Sequence, residues 1–242
     1  MTITALEEIS LNTWPAIYQD VLDGWIVRAS NGYTGRANSV HPLYPGVMPV
    51  AEKIAWCEAY YRRHGLPAKY KLTEAAQPAE LDAELAARGY RREPTVSVQT
   101  AEITALHLPE AGWTKEVSLD DWLVAYSFCT GAAHDLSSTR SILARIMHPC
   151  EYVVVSGPDG PLACGLSVVE RGYVGYFHIV TAQAARRRGY AGRVMAALTA
   201  WGTAHGATHT FLQVIAHNAP ARALYEKLGF TEAYQYWYRV QE

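Results

Sequence analysis

The stretch of this chain with the most chemistry in it runs from Phe177 to Met195, FHIVTAQAARRRGYAGRVM. Tyr173 to Val180 reads as a β-strand, a basic turn containing Gly189 follows, and a helix opens on the small residues Ala191 and Gly192. That order predicts a phosphate site. Backbone N–H groups in the first turn of a helix have no partner inside it, and the helix dipole adds partial positive charge there. Gly189 and Ala191 lack the bulk that would hold an anion away, while Arg187, Arg188 and Arg193 supply full charges. The dinucleotide pattern G-x-G-x-x-G is missing, as is the G-K-[ST] of a P-loop. Taken alone, the run is also compatible with an exposed arginine cap on a helix.

The run does not stand alone. Arg186-x-x-Gly189-x-Ala191 resembles the R/Q-x-x-G-x-G/A signature of the GNAT superfamily of CoA-dependent N-acyltransferases. Further on, Asn218 to Phe230, NAPARALYEKLGF, resembles that family's next motif, a helix ending in Y-x-x-x-G-F. The resemblance covers residues 115 to 240. It implies that Arg186, Arg187, Arg188, Gly189, Tyr190, Ala191, Gly192 and Arg193 hold the CoA pyrophosphate, chiefly through their amides. Ile179, Val180 and Thr181 would pair with the pantetheine arm on a strand that splays from its neighbour. A backbone N–H would then polarise the thioester carbonyl, as in an oxyanion hole. Asn218 would meet the pantetheine arm or the start of the next helix. Tyr225 would protonate the departing thiolate, which a phenol of pKa about 10 can do because the thiol is a similarly weak acid.

The general base is less marked. Many family members place a glutamate on the strand before the turn, but the matching position here is Gly175. His178 is the nearest titratable side chain on that strand, and an imidazole titrates near 6.5 when unperturbed. Glu170, at the end of the preceding strand, is a second candidate, and a water chain would need neither. By analogy with the family, acceptor choice falls to Ser127 to Asp135, SFCTGAAHD.

Elements must position these groups, and the pattern of elements occurs twice. In the first half, residues 23 to 30 and 37 to 43 read as strands, with Asn31-Gly32 as a turn. Val50 to His64 follows as a helix, then a short strand at 70 to 72, a helix from Pro78 to Ala87 stopped by Gly89, and a strand from Thr95 to Ile103. In the second half, Ser118 caps a helix to about Cys129, and residues 137 to 147 form another. Strands at 151 to 155 and 161 to 169 flank the turn Gly157-Pro-Asp-Gly160, before the strand that ends at Val180. Gly192 to His205 is a helix, Thr210 to Ile215 a strand, Pro220 to Leu228 a helix and Tyr234 to Val240 an aromatic strand. Shifting the chain by about 140 residues lays KLTEAAQPAELDAELAARGY on FLQVIAHNAPARALYEKLGF without a gap. The first copy lacks the arginines, and Leu85 stands in the place of Tyr225.

Composition narrows the remaining choices. The 242 residues are 50% hydrophobic and 18% charged, with a net charge of -2. That balance argues against a nucleic-acid partner. The cysteines, Cys57, Cys129, Cys150 and Cys164, form no C-x-x-C pair and have no histidine at zinc-finger spacing, which predicts buried thiols and no metal. No apolar run is long enough to span a bilayer, and the N-terminus lacks a signal-peptide core, which predicts a soluble, cytoplasmic protein.

The expected fold is α/β: two tandem GNAT-like units, each a mixed, mostly antiparallel sheet flanked by helices. Residues 1–106 form a degenerate first unit, 107–114 a linker, and 115–242 the catalytic unit. The expected activity is transfer of an acetyl group from acetyl-CoA to the primary amine of a small or amino-acid-like acceptor, in a ternary complex. No metal, membrane or nucleic-acid partner is expected, and the protein would be a monomer or homodimer. A CoA-binding sensor without turnover, or an acyltransferase with another acyl donor, are the alternatives.

Overall fold

The computed structural model describes residues 1–131 and 136–242. In chain order the elements are α1 (Ile3–Thr13), β1 (Tyr18–Leu22), β2 (Trp25–Ala29), β3 (Val40–Pro42), α2 (Val50–Arg63), β4 (Lys69–Thr73), α3 (Leu81–Ala87), β5 (Arg91–Arg92) and β6 (Val96–Glu102). There follow β7 (Thr114–Glu116), α4 (Leu119–Thr130), α5 (Leu136–Leu143), β8 (Cys150–Gly157), β9 (Gly160–Glu170) and β10 (Tyr173–Thr181). The chain ends with α6 (Tyr190–Ala204), β11 (His209–Ile215), α7 (Ala219–Lys227) and β12 (Thr231–Val240). The fold is mixed α/β. It divides into two compact units: one of Met1–Val98, Gln213–Asn218 and Ala233–Glu242, the other of Gln99–Leu212 and Ala219–Glu232.

In the first unit β1 and β2 form an antiparallel hairpin, β3 runs antiparallel to β2, and β3 is parallel to β4. Asp23 (φ 43°) and Gly24 (φ 86°) make the hairpin turn, in the left-handed conformation that an Asp-Gly pair tolerates. The strand expected over residues 23 to 30 starts instead at Trp25, because this pair forms the turn. The last residues of β12, Tyr236 to Val240, pair antiparallel with β4, so the C-terminal aromatics belong to this unit's core. Alternation puts Trp25, Val27 and Ala29 of β2 inward, where Ile54, Cys57 and Tyr61 of α2 meet them at helical spacing.

Helix α1 is held to this unit by charge as much as by apolar packing. Glu7, 1% exposed, receives Lys71 Nζ at 2.6 Å on both carboxylate oxygens and the Tyr234 hydroxyl at 2.5 Å. Burial raises the Glu7 pKa, but Lys71 and His41 more than reverse this and bring it from 4.5 to about 2. Burial lowers the Lys71 ammonium too, yet both oxygens at 2.6 Å favour the charged pair. Arg28 adds hydrogen bonds from Nη2 to the carbonyls of Leu11 (3.2 Å) and Trp14 (2.5 Å), closing the C-terminal end of α1.

The second unit is an antiparallel run of β7, β8, β9 and β10, extended by β11 parallel to β10. Ser118 caps α4 by accepting from the Asp121 N–H at 3.1 Å, as its sequence predicts. The two units share a local plan about 140 residues apart: α2 corresponds to α6, β4 to β11 and α3 to α7. The match extends to the caps. Tyr90 N–H donates to Leu85 O at 3.0 Å across Gly89 (φ 84°), and Phe230 N–H donates to Tyr225 O at 3.0 Å across Gly229 (φ 99°).

Removing one partner of the Glu7–Lys71 pair strands a buried charge. Glu7→Gln should therefore lower stability at neutral pH by about 3–5 kcal/mol in urea unfolding. Because the folded pKa is depressed, the pair's contribution is complete above 4.5 and is lost as pH falls from there toward 2. The wild-type urea midpoint should drop across that window more steeply than the variant's; parallel curves would contradict the assignment.

Candidate active site

The strand β10 changes character along its length. Tyr173, Val174 and Gly175 pair with His209, Thr210 and Phe211 of β11, and there the parallel ladder stops. On its other edge β10 pairs with β9 on both sides of a bulge, which falls between Phe177 and Val180. His178 sits in that bulge with φ 49°, a left-handed conformation unusual for a residue with a Cβ. Its ring lies 4.8 Å from that of Tyr126 and 6.0 Å from that of Trp122, both on α4. Those two aromatics stack on each other at 5.0 Å, 10° from parallel, and the Trp122 Nε1–H donates to Gly165 O at 3.0 Å. His178 is thus held half-buried against a fixed aromatic face, beside Ile179, Val180 and Thr181.

The arginine turn follows. A short 3-10 turn at Gln183–Ala185 lets the chain bend, and Arg187 (φ 61°) and Gly189 (φ 79°) are both left-handed. Arg186, Arg187 and Arg188 are exposed. Gly189 is the N-cap of α6, which begins at Tyr190 rather than at the expected Gly192. The first ladder bond of the helix is Arg193 N–H to Gly189 O at 3.2 Å, so the N–H groups of Tyr190, Ala191 and Gly192 precede the ladder. The guanidinium carbons of Arg188 and Arg193 lie 5.6 and 5.8 Å from the Tyr190 ring centre, which places both cations at this end of the helix. Gly192 is buried against the stretch read as a linker, where a Cβ would lie 3.2 Å from Pro109 Cγ.

Tyr225 lies on α7, half-buried, with its ring 6.0 Å from that of Phe230. Burial raises its pKa above the usual 10, so the phenol keeps its proton at neutral pH. Phe230 in turn meets Tyr176 of β10 at 6.2 Å. Gly229 makes the return possible: besides its positive φ, a Cβ there would lie 2.7 Å from Ala105 O. Asn218 stands in the turn between β11 and α7, its N–H donating to Ile215 O at 2.9 Å.

Comparison with known proteins converges on one family. Residues 1–239 match the model described as probable histone acetyltransferase Rv0428c, C-terminal. The chain belongs to this family of GNAT acetyltransferases. It is 28% identical over 247 residues to the uncharacterized N-acetyltransferase YobR of Bacillus subtilis (strain 168), covering 99% of this chain and 98% of that protein. A GCN5-related N-acetyltransferase from Kribbella flavida has the same fold, with a TM-score of 0.70 at 16% identity over 100% of this chain and 96% of that one. A tandem GNAT protein from the clavulanic acid biosynthesis pathway superposes with a TM-score of 0.60 at 16% identity, over 78% of this chain and 69% of that one.

Within a GNAT unit the departure at Gly175 has a steric cause. A Cβ there would lie 2.6 Å from the Phe211 ring, so a glutamate does not fit at the last rung of the ladder. Glu170 lies opposite Tyr173, at the far end of β10 from the bulge, about 16 Å along the strand from His178. Trp122 and Tyr126, which set the His178 ring, were missed in the sequence; their i,i+4 spacing on a capped helix was the available signal. The expected acceptor segment Ser127 to Asp135 is described only through Gly131; residues 132–135 lie outside the described residues.

The GNAT motif glycine at 229 gives a direct check on this geometry. Gly229→Ala combines a left-handed φ with a backbone clash and should cost about 2 kcal/mol or more. Gly206→Ala, also at positive φ but with nothing within 4 Å of a Cβ, should cost about 1 kcal/mol. Equal urea midpoints for the two variants would show that the approach to Ala105 is not a constraint.

Proposed function

We propose that this GNAT protein moves an acetyl group from acetyl-CoA to the primary amine of a small acceptor, by direct attack with both substrates bound. The observation that carries the reading is the parting of β10 from β11 after Gly175 and Phe211, beside a left-handed arginine turn that opens α6. An opened strand offers backbone groups to an extended amide chain. The turn offers helix-start N–H groups and cations to a pyrophosphate. The residues present fit that donor: the turn is exposed, its left-handed positions bend the backbone around one point, and Gly189 has no neighbour within 4 Å of a Cβ.

In this reading Arg186 to Arg193 bind the pyrophosphate, Ile179 to Thr181 align the pantetheine arm, and the bulged backbone polarises the thioester carbonyl. His178 takes the proton from the amine, and Tyr225 gives its own to the leaving thiolate. Asn218 orients the arm where α7 begins. Of the two compact units, the one that holds most of residues 1–106 is the degenerate one, and the one that holds most of residues 115–242 is the catalytic one. Between β3 and α2 the first unit carries Tyr44-Pro-Gly-Val-Met-Pro, without arginines, so the donor has no corresponding turn there. The family's description names a histone acetyltransferase, which makes a lysine-bearing basic peptide the second acceptor class.

The test is thiol release from acetyl-CoA against amino acids, polyamines, aminoglycosides and basic peptides. Tyr225→Phe should lower kcat at least tenfold. His178→Gln should remove the acid limb from the pH profile of kcat/KM. The double variant Arg187→Ala, Arg188→Ala should raise the KM for acetyl-CoA at least tenfold with kcat nearly kept. Binding of acetyl-CoA without release for any acceptor would favour a sensor, and no binding at all would overturn the reading.

A further inference from the structure

Cys129 and Cys164 come from different elements of the second unit and meet inside it. Cys129 ends the buried face of α4, following Trp122, Ala125 and Tyr126 at helical spacing. Cys164 lies in β9, opposite Val154 of β8 and Val180 of β10. A Cβ on its neighbour Gly165 would meet Val194 and Leu198 of α6, so alternation turns Cys164 to the other face of the sheet, where α4 packs. There the two thiols hydrogen-bond to each other, and the Cys129 thiol also donates to Pro161 O at 3.8 Å. They are 4% and 0% exposed, and both are free.

The pair differs from the remaining cysteines in what surrounds it. Burial pushes the Cys57 thiol up to about 12, and burial also raises Cys150, whose Sγ lies 3.9 Å from the Tyr152 hydroxyl. Between Cys129 and Cys164 the shared hydrogen bond acts in opposite directions. It lowers Cys129, which the Ala182 N–H also favours as a thiolate, and it raises Cys164. One sulfur is thus the nucleophile, and the other holds the proton. A nucleophilic thiol beside a second thiol that can attack it is the arrangement of a redox-sensitive pair. Cys129 is in the last turn of its helix, before the left-handed Gly131, and helix ends open at low cost, which gives a small oxidant access.

We propose that Cys129 and Cys164 are an oxidation site for hydroperoxides, which convert the two thiols into a disulfide. The Cys129 sulfur attacks hydrogen peroxide, the O–O bond breaks, Cys129 becomes a sulfenic acid and one water leaves. The Cys164 sulfur then attacks Cys129, the S–S bond forms, and the oxygen leaves as a second water with the Cys164 proton. Two thiols give up two electrons and two protons, and one peroxide takes them. The new bond brings the sulfurs to about 2 Å, which draws the end of α4 onto β9. Cys164 stands opposite Val180 and the Ala182 N–H reaches Cys129, so the disturbance falls on the strand end before the arginine turn. Oxidation should therefore weaken acetyl-CoA binding. That consequence rests on the pantetheine role proposed for Ile179 to Thr181, whereas the disulfide rests on the two thiols alone.

Treating the full reduced chain with hydrogen peroxide and mapping it by mass spectrometry tests this. The expected product has lost two hydrogens, with the peptides of Cys129 and Cys164 joined and a thiol reductant parting them. Cys164→Ala should leave a sulfenic acid at Cys129 that dimedone traps, whereas Cys129→Ala should leave Cys164 unoxidised. Cys57→Ala should leave the cross-link unchanged. The oxidised protein should bind acetyl-CoA at least tenfold more weakly and recover on reduction. A cross-link to Cys57 or Cys150 would overturn the site, as would wild-type protein without the cross-link after peroxide has oxidised Met147, which is 89% exposed. Equal acetyl-CoA affinity before and after a mapped cross-link would overturn its effect on the donor. Failure of the reduced protein to bind acetyl-CoA at all would instead overturn the donor reading, and the peptide map alone would then decide the site.

Discussion

Gly175 and Phe211 form the last rung between two parallel strands, and the Phe211 ring fills the room that a side chain on Gly175 would need. Past that rung, among the described residues, β10 keeps its β9 partner alone, and even that ladder is interrupted by the bulge at His178. A strand edge inside a fold is costly unless something pairs with it, because backbone N–H and C=O groups are obligatory hydrogen-bonding groups. The second unit therefore sets an extended edge beside a helix start. Both features suit a ligand that is part extended amide and part phosphate. The rest of the unit supports that opening: α4 fixes His178 through Trp122 and Tyr126, Pro109 packs on Gly192, and Gly229 returns the chain beneath Tyr225.

The first unit shows the same local plan put to a different use. Its helices and strands correspond to those of the second at a shift of about 140 residues, down to the left-handed glycine and the aromatic that follows it. The arginine turn is absent, and β4 pairs along Lys69 to Thr73 with the end of β12. In place of an open edge this unit has a charged, buried interior. Glu7, Lys71 and Arg28 hold α1 to it.

Much of the fold was legible because its elements advertise themselves. The turn Gly157-Pro-Asp-Gly160 marks the β8–β9 pair, a serine cap with two acidic residues marks α4, and glycine stops mark α2, α3 and α7. Helix α1 and strand β1 were not legible. Every residue from Tyr18 to Val21 is exposed, so β1 has no apolar alternation to read. Helix α1 is anchored by a glutamate whose partners, Lys71 and Tyr234, are far away in sequence. At the candidate site the phosphate turn could be read because glycine and arginine spacing carries its chemistry locally. The bulge at His178 could not, since a left-handed conformation at a histidine has no local sequence signal. The steric reason for Gly175 needed the neighbouring strand to be placed.

The claim at the centre of this account is that the opened edge of β10 and the turn before α6 receive one donor molecule together. Amide hydrogen exchange of the full protein, with and without acetyl-CoA, tests it most directly. Acetyl-CoA should slow exchange in both stretches, Ile179 to Thr181 and Arg187 to Arg193, over the same concentration range. Binding that protects neither stretch, or only one of them, would contradict it.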